Sequence, residues 1–151
     1  MKFRSCFVSN SSSCSFIVIG NSLNKDKLSP KPWKYGEKEF SYGNWSDADS
    51  KLNFLMLQYC YNPDDSHMEK LLSDFCQKNG IDFDEYYDYM KYCVDYDGEK
   101  YPAAWIDHQS VIDNDYYSDL DWYNVYNVFD SEDSLERFVM DKDSILHMTR
   151  D

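Results

Sequence analysis

No apolar run in this chain approaches the roughly 18–20 residues that a bilayer-spanning helix needs. Phe16 to Ile19 is far too short, and Lys2 and Arg4 are followed by neither a long apolar region nor a small-residue cleavage site. No membrane association is expected, and the chain is expected to stay in the cytosol. Cysteines stand at positions 6, 14, 60, 76 and 93, an odd number with no Cys-x-x-Cys pair. That pattern argues against a disulfide framework and against a tetrathiolate metal site, leaving reduced thiols. The histidines, His67, His108 and His147, are too few and too scattered to suggest zinc. No internal repeat is visible. Basic residues are also short: 15 Lys and Arg stand against 28 Asp and Glu, for a net charge of −13.

What is present describes a folded protein. Hydrophobic residues make up 42% and aromatics 18%, which is globular composition. The mean hydropathy of −0.73 understates this, because 14 tyrosines score as polar although their rings pack well. A length of 151 residues favours one domain, 1–151, able to bury about two-thirds of its unfolded surface. The charge is uneven. Residues 1–51 hold eight Lys and Arg against five Asp and Glu, whereas residues 52–151 hold seven against 23. The acidic part repels nucleic-acid phosphates, so direct DNA or RNA binding there is disfavoured and a basic partner is favoured. The plainer reading is that the charge keeps the protein soluble.

Periodicity predicts an α+β fold: a mostly antiparallel sheet with about four helices packed on one face. The chain opens as strand, serine loop, strand. The β-branched run Phe16–Ile19 suggests a central strand buried on both faces. Breakers at Pro30, Pro32, Gly36 and Gly43 follow, with Trp33, Tyr35, Phe40, Tyr42 and Trp45 expected as an aromatic lid. Ser46 and an acidic first turn introduce a helix with Leu52, Leu55, Met56, Tyr59 and Cys60 inward, closed by Pro63. Ser66-His67-Met68-Glu69 reads as a capping box before a second helix, with Met68, Leu71, Leu72, Phe75 and Cys76 inward and Gly80 as its stop. Asp84 would cap a third, with Tyr86, Tyr89, Met90, Cys93 and Val94 inward. Cys60, Cys76 and Cys93 close these stripes, which suits buried small hydrophobes. Beyond the Asp97-Gly98 turn, strands are expected at 101–106, at 123–129 and at 144–148. Ser131 would cap a fourth helix with Leu135, Phe138 and Val139 inward.

Four constellations can carry chemistry. In the first, Ser9, Asn10, Ser11, Ser12 and Ser13 make a set of donors and acceptors suited to an anion or nucleotide phosphate. Equally, Ser and Asn can bond their own backbone in a tight loop; the run has no glycine and no P-loop lysine. The segment Arg4-Ser5-Cys6-Phe7-Val8-Ser9-Asn10-Ser11-Ser12-Ser13-Cys14-Ser15-Phe16 resembles the opening of a set of small, largely uncharacterised bacteriophage and bacterial proteins. These begin Arg-Ser-Gly-Phe-Val-Ser-Asn, then a serine run and Phe. The chain departs from that pattern at Cys6, usually Gly, and at Cys14, usually Ser. The resemblance spans about fifteen residues and implies a phage-like origin without implying an activity.

In the second, His108 beside Asp107 at a strand end can act as a general base, with Ser11 or its neighbours, or Cys14, as nucleophile. Adjacent residues on a strand point to opposite faces, which works against Asp107 orienting His108. The third, Asp113-Asn114-Asp115 with Asp119 and Asp121, offers carboxylates to a cation but fails the EF-hand pattern, so a solvated acidic face explains it as well. The fourth is the acidic, tyrosine-rich stretch 82–136, with sixteen Asp and Glu, two Lys and Arg and ten tyrosines. Interleaved carboxylates and rings can imitate nucleic acid, and tyrosine is a favoured interface anchor.

The expected function is therefore a phage-encoded, non-enzymatic protein that binds a basic host protein or nucleic-acid-binding complex, inhibiting a host defence or nucleic-acid enzyme partly by nucleic-acid mimicry. The expected contact residues are Asp84, Glu85, Asp88, Asp113, Asp115, Asp119 and Asp121, with Tyr116, Tyr117 and Trp122 as anchors. No cofactor or metal is expected. The alternatives are an enzyme or small-ligand binder using the serine loop and His108, and a virion component.

Overall fold

The polar-then-apolar start of residues 46–61 produces the helix around which the others gather. Asp47 adopts extended backbone angles (φ −73°, ψ 146°), and its carboxylate accepts the Ser50 amide at 2.8 Å, capping helix α1, Ala48–Tyr61. The cap is thus Asp47 and not Ser46. A carboxylate meets the free first-turn amides and also favours the positive end of the helix dipole. The computed structural model describes residues 13–18, 25–29, 39–40, 43–91, 93–94, 100–101, 105–106 and 128–150.

α1 is not the one-sided helix its periodicity suggests. Every residue from Lys51 to Tyr59 is buried, so Phe54 and Leu57 join the expected Leu52, Leu55, Met56 and Tyr59. A helix buried all round needs neighbours all round. Three of them are helices: α2 (Ser66–Lys78), α3 (Phe83–Lys91) and α4 (Glu132–Met140), each packed on α1.

The inward faces of α2 and α4 are those the sequence predicts. Met68, Leu71, Leu72, Phe75 and Cys76 are buried on α2, as are Leu135, Phe138 and Val139 on α4. Ser131 caps α4, its side chain accepting the Ser134 amide at 3.1 Å. The α2 cap shifts by one residue: the Asp65 carboxylate accepts the His67 and Met68 amides at 3.1 and 3.0 Å, and Ser66 is already helical. At the other end Gly80 takes φ +70°, donating to Gln77 O while Ile81 donates to Cys76 O. This pairing closes the last turn, and the left-handed angle is what the glycine supplies.

Strand pairing gives an α+β architecture. β1 (Ser13–Val18) and β3 (Gly43–Trp45) each pair antiparallel with β7 (Ile145–Arg150), giving the order β1-β7-β3. β2 (Glu39–Phe40) pairs in parallel with β6 (Trp105–Ile106), and β4 (Cys93–Val94) antiparallel with β5 (Lys100–Tyr101). Four expectations change here. Among the described strands β7 is central, and β1, which carries Phe16, lies beside it. Cys93 and Val94 leave the predicted third helix and pair antiparallel with β5; the expected Asp97-Gly98 turn lies outside the described residues. Val128 and Phe129 are buried in a turn before α4, where alternation predicts a strand end. Ser13 to Ser15 also belong to β1, so the serine loop is shorter than expected.

Among the described side chains the core is helix packed on helix. Of its buried apolar residues only Ile81, Val128, Phe129 and Leu146 lie outside helices. The sheet reaches that core through Leu146, with Trp45 packed half-buried against it. The lid expected of Phe40 and Trp45 is described only at Trp45; Trp33, Tyr35 and Tyr42 lie outside the described residues. Cys76 is buried as expected, and Cys60 is half-buried.

A buried polar joint links the helices to the sheet. Lys51 Nζ, on α1, donates to Asp141 O at 2.8 Å and to Ser144 O at 3.1 Å, the two ends of the turn between α4 and β7. The turn is internally braced: Ser144 N donates to Asp141 O, and the Ser144 hydroxyl to Arg137 O. Residues 25–29 cross the same region. Asp26 N donates to Met140 O, and its carboxylate accepts the Ala48 amide at 3.0 Å, a second cap on α1 from distant sequence. Ser29 N donates to the Asp49 carboxylate.

The cap assignment has a direct test. Asp65→Ala should lower stability by about 1 kcal/mol in a denaturant titration, whereas Ser66→Ala should stay within a few tenths. Equal losses would return the cap to Ser66.

Candidate functional site: the acidic face of helix α3

Among the described residues, the acidic, tyrosine-rich character of residues 82–136 is displayed most fully on α3. Asp82 begins the helix, its carboxylate accepting the Glu85 amide at 3.0 Å and its carbonyl the Tyr86 amide. The cap therefore lies two residues before the expected Asp84. From there the helical turn sorts the side chains. Tyr86 and Met90 are buried against the core. Phe83 and Tyr87, one turn apart, lie half-buried on Tyr59 of α1, with ring centroids 5.7 and 4.9 Å from it and 6.2 Å from each other. Such tilted and offset arrangements suit the ring quadrupoles. This aromatic cluster fixes the rotation of α3 on the protein.

With that rotation fixed, Asp84, Glu85, Asp88 and Tyr89 share the outer face. Tyr89 is 43% exposed, the one exposed large hydrophobic side chain among the described residues. It was expected inward, in the stripe with Tyr86 and Met90. At 100° per residue it falls past the buried arc, next to Glu85. Tyr87 takes the inward place, which a stripe chosen at strict i, i+3, i+4 spacing passes over. Lys91, the base of this helix, holds its Nζ 5.1 Å from the centroid of the Tyr87 ring.

The other two surface helices treat their carboxylates differently. On α2, Asp74 is paired with Lys70; on α4, Asp133 meets Arg137 at 3.3 Å. Glu136 is held between Lys25 at 2.7 Å and Lys78, whose hydrogen bonds keep its carboxyl below the usual range. No such ion pair joins Asp84, Glu85 or Asp88 among the described residues. Asp84 and Glu85 at least lie in the first turn, where the dipole favours them. Asp88 lies beyond it and stands one turn from Asp84, a like-charge spacing that weakens a helix. Of the three, only Asp88 stands where the helix itself gains nothing from a negative charge.

The remaining expected contact residues, Asp113, Asp115, Tyr116, Tyr117, Asp119, Asp121 and Trp122, lie outside the described residues. So do Asp107, His108, Ser9, Asn10, Ser11 and Ser12 of the alternative site. Ser13 opens β1 with Arg150 as its partner in register. His147 lies in β7 opposite Phe16. His67 has its Nε2 2.7 Å from Phe129 O and, facing a carbonyl, donates to it, joining the start of α2 to the turn before α4. Among the described residues, no group of three or more His, Cys, Asp or Glu is placed to hold a metal ion. None of their helices is long and apolar enough to cross a membrane. No protein-family model matches the chain, and neither the curated proteins nor the solved structures yield a similar one.

Because Asp88 opposes Asp84 one turn away, Asp88→Lys should leave the fold intact and raise the melting temperature by about a degree, exchanging repulsion for an i, i+4 attraction. A thermal melt followed by circular dichroism checks this. A fall of several degrees would show that Asp88 serves the fold.

Proposed function

We propose that the chain is a phage-encoded acidic protein that binds a basic host protein or nucleic-acid-binding complex, and that it inhibits a host defence or nucleic-acid enzyme partly by nucleic-acid mimicry. The observation that carries this reading is the outer face of α3, where Asp84, Glu85 and Asp88 surround an exposed tyrosine, while Asp74 of α2 and Asp133 and Glu136 of α4 are engaged in ion pairs. Exposed carboxylates at helical spacing meet a basic groove as phosphates would, and a tyrosine ring among them supplies apolar contact at low entropic cost. Asp113, Asp115, Tyr116, Tyr117, Asp119, Asp121 and Trp122 belong to the same proposed surface through their composition. The phage-like opening of the chain supports the choice of host.

The same reading takes residues 1–151 as one domain working in the host cytosol, with its helices packed on one face of the sheet. The alternatives, an enzyme or small-ligand binder and a virion component, draw no support from the described residues.

Affinity capture from host lysate at low salt, followed by mass spectrometry, should recover a basic protein whose binding weakens steeply as salt is raised. Combined Asp84→Asn, Glu85→Gln, Asp88→Asn and Tyr89→Ala substitution should weaken that complex at least tenfold with the melting temperature little changed. Charge reversal at Asp115, Asp119 and Asp121 should weaken it further. Undiminished binding by both variants, or recovery of no basic protein, would overturn the reading.

A further inference from the structure

Lys51 is fully buried, with its charge-bearing end set between backbone carbonyls instead of in water. Its two acceptors are the carbonyls of Asp141 and Ser144, so a single side chain from the middle of the helical core holds both ends of the turn that leads into β7. β7 in turn carries β1 on one side and β3 on the other. The groups around Nζ come from every element at this joint. Asp26 belongs to the crossing segment 25–29, Asp47 caps α1, Asp141 ends α4, and the Phe138 ring centroid lies 6.0 Å away. Lys142 also bears on Asp26.

We propose that Lys51 is a charge-sensitive latch: the Asp141–Ser144 turn, with β7, opens from α1 more readily at neutral than at alkaline pH. An ammonium loses more than a neutral amine when it is removed from water, and both forms can still donate to the two carbonyls. Opening hydrates the charge. The closed joint is therefore weakest while Lys51 is protonated and tightens once it is neutral.

The pH window follows from the burial. Burial draws Lys51 down to about 8 from the ordinary lysine value of 10.5, against the opposing fields of Asp26, Asp141 and Asp47. A group whose closed-state pKa is lowered binds fewer protons closed than open between those two values, so closing strengthens as pH rises through that range and changes little below it. The Asp26 carboxyl changes nothing in this window. Burial alone would raise it, but the Ala48 and Lys27 amides outweigh burial and hold it below the usual carboxylate value. Three other buried groups act on global unfolding and in the opposite sense. Burial pushes Cys76 and Tyr59 each up to about 12 and raises Tyr86 as well, so their contribution to stability falls above their ordinary values of 9.0 for the thiol and 10.0 for the phenols. Measurements between pH 7 and 9 separate the latch from all three.

Hydrogen exchange of the Leu146 and neighbouring β7 amides on the full chain reads the opening. After correction for the intrinsic rate, opening should be about tenfold rarer at pH 9 than at pH 7, as the displacement of the Lys51 titration requires. Lys51→Met should abolish that dependence. A flat profile in the unsubstituted chain, or the same tenfold change in the variant, would overturn the proposal. Should Lys51→Met fail to fold, acetylation of Lys51 in the unsubstituted chain, followed by peptide mass spectrometry, decides the matter. Labelling through the open state should level off above about pH 8, whereas exposed Lys70 continues to rise about tenfold per pH unit toward pH 10. A Lys51 rate that tracks Lys70 throughout would sink the latch.

Discussion

Burial of α1 on every side along its middle, from Lys51 to Tyr59, is the constraint on which the rest of the structure depends. From Lys51 to Tyr59 no side chain reaches solvent, so each polar group on that helix needs a partner inside the protein. The Asn53 side-chain amide donates back to Asp49 O at 2.8 Å, and Lys51 reaches across to the turn before β7. The apolar residues impose the matching demand for α2, α3 and α4. Capping is shared as well: Asp47 serves one amide of the first turn and Asp26, brought from 22 residues away, another. The order of helices, strap and sheet can be read as the set of partners that one central helix requires.

The legible parts of this fold are those where one residue type admits one interpretation. The α2 and α4 stripes are built from Leu, Met, Phe and Val and bury as their spacing says. Gly80 marks a left-handed helix end because glycine takes that conformation at least cost. Tyrosine is where the pattern loses its meaning. Tyr86, Tyr87 and Tyr89 have the same side chain, yet one is buried, one half-buried on Tyr59 and one exposed, and only the tertiary contact with Phe83 and Tyr59 decides among them. Polar residues in apolar surroundings are equally opaque. Nothing adjacent to Lys51 announces that its partners lie ninety residues on, and His67 finds its acceptor at Phe129. Among the described strands β7, not β1, is central, because the β-branched run at Phe16–Ile19 reports a taste for burial without naming its neighbours. Of the expected contact face, Asp84, Glu85 and Asp88 were legible as charge, while Tyr89 entered it only with the helix rotation.

Charge on this protein follows two regimes. Where α2 and α4 approach each other, carboxylates are matched, and Glu136 alone gathers Lys25 from the crossing segment and Lys78 from α2. Each such exposed pair contributes little stability, but together they hold segments of distant sequence in register. On α3 the carboxylates are arrayed on the side opposite the aromatic cluster that anchors the helix, so packing and net charge are divided between its two faces. Among the described residues, Asp84, Glu85 and Asp88 thus form an acidic face on a well-anchored helix.

The place of β7 between β1 and β3 also bears on how the protein reaches its folded state. Helices α1, α2 and α3 meet neighbours a few tens of residues away in the chain, so their contacts close short loops. The β1–β7 pairing, which joins Ser13 with Arg150 and Val18 with Ile145, closes a loop on the order of 130 residues. Contacts of that span cost chain entropy before they return any packing, and topologies rich in them fold more slowly than local ones. Among the described elements, then, the helices are joined in part by local contacts, whereas the sheet is held by the two ends of the described chain.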